Sequence, residues 1–124
     1  MSHVLVIEDD PFVRRLLDLH LTNAGHEVTL ARDPVEGLKS VLESVPELIL
    51  LDIEMPYMSG LEVLRALKSD PASRHVPVVM LTSRTDDATM AQATRDGADA
   101  FLNKPIRIER ILETLDQLLP HRTG

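Results

Sequence analysis

Four short runs of almost uninterrupted apolar residues dominate the sequence: Val4-Leu-Val-Ile7, Leu48-Ile-Leu-Leu51, Val76-Pro-Val-Val-Met-Leu81 and Ala100-Phe-Leu102. Runs this short, with no polar alternation, read as strands covered on both faces, which is the condition of a parallel sheet between helical layers. A fifth segment, Glu27-Val-Thr-Leu-Ala31, alternates polar with apolar residues and reads as an edge strand. Helical spacing fills the intervals. Val13, Leu16, Leu17, His20 and Leu21 form one stripe, stopped by Asn23-Ala-Gly25. Pro34 opens a second helix with Val35, Leu38, Val41 and Leu42 expected inward, and Pro46 closes it. Gly60 to Lys68, Asp86 to Arg95 and Ile106 to Leu119 give three more, the fourth helix being poor in large apolar residues and the last placing Ile108, Ile111, Leu112, Leu115 and Leu119 inward. The pattern is (βα)5 across residues 1–124, one domain without linker or repeat. Right-handed crossovers make this a doubly wound α/β fold with a five-stranded parallel sheet, for which the common strand order is 2-1-3-4-5.

Composition narrows the function. A net charge of −7 argues against direct binding of nucleic acid, which needs a basic face. There is no cysteine, so disulfides, thiolate metal sites and a cysteine nucleophile are excluded. No signal peptide and no apolar run of membrane-spanning length is present, and a cytoplasmic location is expected.

In open α/β sheets, ligands bind beyond the carboxyl ends of the strands, where the strand order reverses. In the expected order that point lies between the first and third strands, which end in Glu8-Asp9-Asp10 and Asp52. Asp10 before Pro11 suits a helix N-cap. Glu8, Asp9 and Asp52 remain as carboxylates converging on one rim, a cluster that repels itself unless a cation compensates it. Oxygen ligands without histidine or cysteine favour a hard ion, Mg²⁺, with Mn²⁺ as a substitute. The fourth strand brings Thr82 to the same rim, either as a donor to a phosphoryl oxygen or as a cap for the next helix. Lys104, between the fifth strand and Pro105, is placed to act as a point charge over the rim. A carboxylate nucleophile expected to be ionised at neutral pH, a metal site, a hydroxyl and an ammonium are the parts of phosphoryl transfer, a reaction driven by positioning and charge neutralisation. The histidines, His3, His20, His26, His75 and His121, are scattered and form no constellation.

The segments Val4-Leu-Val-Ile-Glu-Asp-Asp10, Leu51-Asp-Ile-Glu-Met-Pro56, Met58-Ser-Gly60, Leu81-Thr-Ser83, Gly97-Ala-Asp99 and Lys104-Pro105, in this order and spacing, resemble the receiver domain of two-component response regulators over essentially the whole chain. The resemblance implies a flavodoxin-like fold and an aspartyl-phosphate switch. It makes Asp52 the phosphoacceptor, Asp9 a direct Mg²⁺ ligand, Glu8 a ligand through water, and the backbone carbonyl of Glu54 a further ligand. Thr82 would close onto the phosphoryl group, Lys104 would bridge it to the acidic pair, and Lys104–Pro105 would be a cis peptide. Phe101 would be either the aromatic switch residue or a plain core phenylalanine. A histidine kinase or phosphotransfer protein would be the donor. The face formed by the fourth helix, fifth strand and fifth helix would carry the response, to a target or a homodimer; Arg95, Asp96 and Asp99 could meet Arg107, Glu109 or Arg110 across such a dimer, but a solvated charged face is the favoured reading of these residues.

Some positions depart from the family pattern. Tyr57 and Met58 follow Pro56 where Gly-Met is frequent, and Ile106 follows Pro105 where Phe is frequent. Glu54 and Arg84 occupy the positions that, in the family, tune the lifetime of the phosphorylated state. Two other functions compete. Asp52-Ile-Glu54 could serve as the nucleophile-and-acid pair of a haloacid-dehalogenase-like phosphatase, although that family places its second acidic pair after the lysine. A scaffold that is never phosphorylated is disfavoured by the joint presence of Asp52, Asp9, Thr82 and Lys104.

Overall fold

The computed structural model describes residues 2–83 and 86–119. Within them the chain alternates strand and helix: β1 (His3–Ile7), α1 (Pro11–Asn23), β2 (Glu27–Ala31), α2 (Pro34–Glu43), β3 (Leu48–Asp52), α3 (Gly60–Ser69), β4 (Val78–Thr82), α4 (Asp87–Arg95), β5 (Ala100–Asn103) and α5 (Ile108–Leu118). All the strand pairs are parallel and the order is β2-β1-β3-β4-β5, so the alternating segment is an edge strand. The three central strands are buried along nearly their whole length, because each face of the sheet is covered. Alternate residues feed two apolar cores. Leu5, Ile7, Ile49, Leu51 and Met80 pack with α2 and α3, whereas Val4, Val6, Leu50, Val79 and Leu81 pack with α1 and α5.

Local chemistry sets the helix ends. Asp10 caps α1, its carboxylate accepting from the backbone N–H of Phe12 and Val13, with Pro11 in the first turn. Ser59 and Glu62 form a reciprocal capping box on α3. Asp33 and Asp86 cap α2 and α4 through their carboxylates, which accept from the backbone N–H of Glu36 and Thr89.

Several boundaries and faces differ from the sequence pattern. The ladder of β4 begins at Val78, not Val76, since Pro77 has no N–H to donate. Helix α5 begins at Ile108 after Arg107, two residues later than the apolar pattern suggested. Helix α2 turns Pro34, Gly37 and Val41 inward while Val35 and Leu42 stand exposed. The reason is steric. Gly37 lies directly against Ile7, so close that a Cβ would fall 2.6 Å from the Ile7 side chain, and this rotates the stripe away from Val35. Leu112 of α5 is likewise partly exposed, and Thr114 takes the inward place. Helix α4 presents only Ala93 as a buried residue. Asp96 and Asp99 are engaged within the chain, by Arg65 at 3.0 Å and Lys68 at 3.2 Å. No helix of the described residues is long and apolar enough to cross a membrane.

Candidate functional site

Register brings the acids together. Ile7 pairs with Leu51, so the next residues, Glu8 and Asp52, leave their strands side by side at the carboxyl edge. Asp52 in turn pairs with Leu81, and Thr82 with Asn103, which sets Thr82 and the residue after Asn103 on the same rim. The backbone N–H of Lys104 donates to the Thr82 carbonyl at 2.9 Å, and the Lys104–Pro105 peptide is cis. The lysine side chain turns over the rim. Its Nζ lies 2.7 Å from Glu8 Oε1 and 3.2 Å from Asp52 Oδ1.

Burial decides the electrostatics. Glu8 and Thr82 have no exposed surface and Asp52 is 1% exposed, whereas Asp9 opens to solvent. Carboxylate oxygens of Glu8, Asp9 and Asp52 lie within 4.8 Å of one another, the one such group among the described residues. Burial, the hydrogen bond to Glu8 and the charge of Glu8 push Asp52 up to about 8, against the opposing pull of Lys104. Without a cation, burial and Glu8 thus favour the protonated form of Asp52. One ammonium does not balance two buried carboxylates and a third at their edge. Burial by itself would lower Lys104, but the hydrogen bond and charge of Glu8 and the charge of Asp52 outweigh it and hold the ammonium above its usual range. The donor set fits a divalent hard cation: it is all oxygen, carries excess negative charge, and has one member facing solvent.

The loop after Asp52 is shaped by backbone contacts. The Glu54 N–H donates to Asp52 Oδ1 at 3.2 Å, and Gly60 N–H to the Ile53 carbonyl at 2.9 Å. Gly60 sits so close that a Cβ would overlap the Asp52 carbonyl oxygen and lie 2.7 Å from Ile53 Cα, so only glycine fits. Tyr57 takes a left-handed φ of 72° with its side chain fully exposed. The Glu54 carboxylate accepts from Ser83 Oγ at 2.6 Å, tying this loop to the end of β4. Arg84, the expected neighbour of Glu54, lies outside the described residues. Phe101 is half-buried and packs at the margin of the core shared by α2 and α3.

Three contributors were not singled out from the sequence. In the sequence Ser83 stands out only as part of a motif, Gly60 only as a helix start and the end of a motif, and Arg14 not at all. Arg14 Nη1 donates to the carbonyls of Glu8 and Asp9, each at 3.0 Å. Only the spacing of Gly60 after Asp52 carried a signal; the roles of Ser83 and Arg14 depend on side-chain reach across loops.

The carboxylate cluster and the lysine thus stand at the strand-order reversal of a doubly wound parallel sheet, the place where such α/β domains bind their ligands. Residues 4–116 match the response regulator receiver domain, and the chain belongs to that family. It is 37% identical over 107 residues to the transcriptional regulatory protein AfsQ1 of Streptomyces coelicolor, covering 86% of this chain and 46% of that protein. It is 34% identical over 116 residues to the polar-differentiation response regulator DivK of Brucella anthropi, covering 94% of each. Among solved structures, the chemotaxis protein CheY4 of Vibrio cholerae superposes with a TM-score of 0.92 at 31% identity, covering 96% of this chain and 99% of that one. The chain thus spans about half the length of AfsQ1 and nearly all of DivK. It is a receiver domain of two-component signalling.

Proposed function

We propose that residues 1–124 form one receiver domain in which Asp52 accepts a phosphoryl group from the phosphohistidine of a histidine kinase or phosphotransfer protein. The reading rests above all on one observation: a buried carboxylate at the end of β3, 3.2 Å from the Lys104 ammonium and within one cluster with Glu8 and Asp9. An Asp52 oxygen attacks phosphorus in line as the phosphorus–nitrogen bond breaks and the imidazole leaves with its electron pair. Mg²⁺, or Mn²⁺ in its place, held by Asp9, Asp52, the Glu54 carbonyl and, through water, Glu8, would neutralise the charge of the transferring group. Lys104 then exchanges its contact with Asp52 for a phosphoryl oxygen, and the Thr82 hydroxyl donates to another.

The new charge of about −2 biases the surface of α4, β5 and α5. Helix α4 suits a moving element, Ala93 being its one buried residue. Phe101, half-buried at the margin of the core that also holds Ala93, would turn inward as Thr82 moves. That face would meet a target or a second copy, although Asp96 and Asp99 are already engaged by Arg65 and Lys68 of their own chain. For the donor, an apolar groove lined by Phe12, Val13, Leu16, Pro105 and Ile106 opens beside Lys104. Glu54, held by Ser83, and Arg84 would tune the lifetime of the phosphorylated state. The setting would be cytoplasmic, and the domain itself would not bind nucleic acid.

Incubation with acetyl phosphate and MgCl₂ separates this reading from its rivals. Near-stoichiometric labelling of the protein, lost in Asp52→Ala, supports the receiver; sustained turnover of an external phosphomonoester would favour a hydrolase, and no labelling a scaffold.

A further inference from the structure

Between the last residue of β1 and the first of α1 the chain has left the sheet and has not yet entered the helix. The Glu8 N–H still reaches the Ala31 carbonyl at 3.1 Å, and the Asp10 carbonyl already accepts from Arg14 N–H at 3.0 Å. The carbonyls of Glu8 and Asp9 fall in the gap and are taken up by neither element. Arg14, one turn into α1, folds its half-buried side chain back over the helix start and donates from one Nη1 to both, at 3.0 Å each. A cation near a helix N-terminus opposes the helix dipole, so its placement there is unfavourable unless those hydrogen bonds compensate. Its neighbour Arg15 points to solvent.

Fixing two successive carbonyls fixes the backbone dihedrals between them, and with them the directions in which the Glu8 and Asp9 side chains leave the chain. Glu8 has a second support, the Asp10 N–H at 3.3 Å from its Oε2. Asp9 is the acid of the cluster nearest solvent; its carboxyl meets Asp52 through a side-chain hydrogen bond, and the backbone from which it leaves is the one that Arg14 holds. The guanidinium is aimed at carbonyls, which leaves the carboxylate oxygens open toward a metal.

We propose that Arg14 is a positioning residue for the divalent cation, orienting Glu8 and Asp9 through their backbone carbonyls. The inference rests on the metal reading above. Removing an outer support of this kind typically weakens metal binding by about 10- to 100-fold. A nearby positive charge acting only by Coulomb repulsion would have the opposite effect, and its loss would tighten binding.

Calorimetric titration of the metal-free protein with MnCl₂ tests it. Wild type is expected to bind one Mn²⁺, Arg14→Met to bind it about tenfold more weakly, Arg14→Lys to recover most of that loss, and Arg15→Met to stay within about twofold of wild type. Arg14→Gln, too short to reach both carbonyls, carries the same expectation as Arg14→Met should the latter not fold. Unchanged or tighter binding in Arg14→Met, or an equal loss in Arg15→Met, would overturn the positioning role while leaving the metal reading intact. Absence of Mn²⁺ binding in wild type would overturn both.

Discussion

Asp52→Asn separates the stability of the pocket from its chemistry. In the metal-free fold, Asp52 is 1% exposed and pushed from 3.8 up to about 8, first by burial and then by Glu8. The unfolded chain releases this proton near pH 3.8 while the folded chain keeps it to about 8. The stabilisation from a protonated Asp52 is therefore complete below pH 3.8 and is lost progressively as pH rises toward 8. Each pH unit costs about 1.4 kcal/mol, so at pH 7, roughly 3 units above the unfolded value, the wild type has lost about 4 kcal/mol as an upper figure. Asparagine cannot ionise, keeps a donor toward Glu8, and leaves Glu8 and Lys104 as a balanced pair. For a domain of this size 1 kcal/mol corresponds to about 4 °C, so Asp52→Asn in EDTA at pH 7 is expected to melt on the order of 10 °C higher than wild type. The gap should close as pH falls toward 4, and saturating Mg²⁺ should raise wild type more than the variant. Thermal melts followed by circular dichroism at the two pH values, with EDTA and with MgCl₂, measure all of this. An Asp52→Asn protein no more stable than wild type at pH 7 in EDTA, or a gap that persists at pH 4, would refute the electrostatic account.

Three further outcomes follow from the loop after the acceptor. Gly60→Ala drives a Cβ into the Asp52 carbonyl and Ile53 Cα, backbone against backbone with no rotamer to escape into. A loss of about 3 kcal/mol is expected, and a melting temperature within a few degrees of wild type would contradict it. Tyr57→Asn relieves a left-handed residue whose ring is fully exposed, and should raise the melting temperature by about 4 °C; a decrease would refute the backbone-strain reading of Tyr57. Glu54→Gln removes an exposed negative charge two residues from the acceptor while keeping an acceptor for Ser83. The initial rate of labelling by acetyl phosphate should rise about threefold at low ionic strength, an effect that added salt suppresses, and an unchanged rate would exclude repulsion by Glu54.

The sheet was legible in the sequence because uninterrupted apolar runs have few other uses in a chain with so few aromatics, and the rim was legible because strand order alone brings Glu8 beside Asp52. Helix faces were less so. The misassignment of Val35 and Leu42 arose because periodicity sees apolarity and not the contact between Gly37 and Ile7 that rotates α2. The early start assigned to β4 ignored what Pro77 cannot donate. Within the site, residue types announced the carboxylates and the lysine, but the upward push on the Asp52 carboxyl comes from depth of burial and from Glu8, which no linear pattern carries. Arg14 was invisible for a related reason: its partners are carbonyls, which every residue has.

The central claim is that Asp52 is the residue that receives the phosphoryl group. Borohydride reduction of the protein after exposure to acetyl phosphate and MgCl₂, followed by peptide mapping, tests this most directly, because an aspartyl phosphate is reduced to homoserine at the position that carried it. Homoserine at position 52, dependent on Mg²⁺ and absent without the donor, is the predicted result. Homoserine at Asp9 or another acid, with position 52 still aspartate, would contradict it.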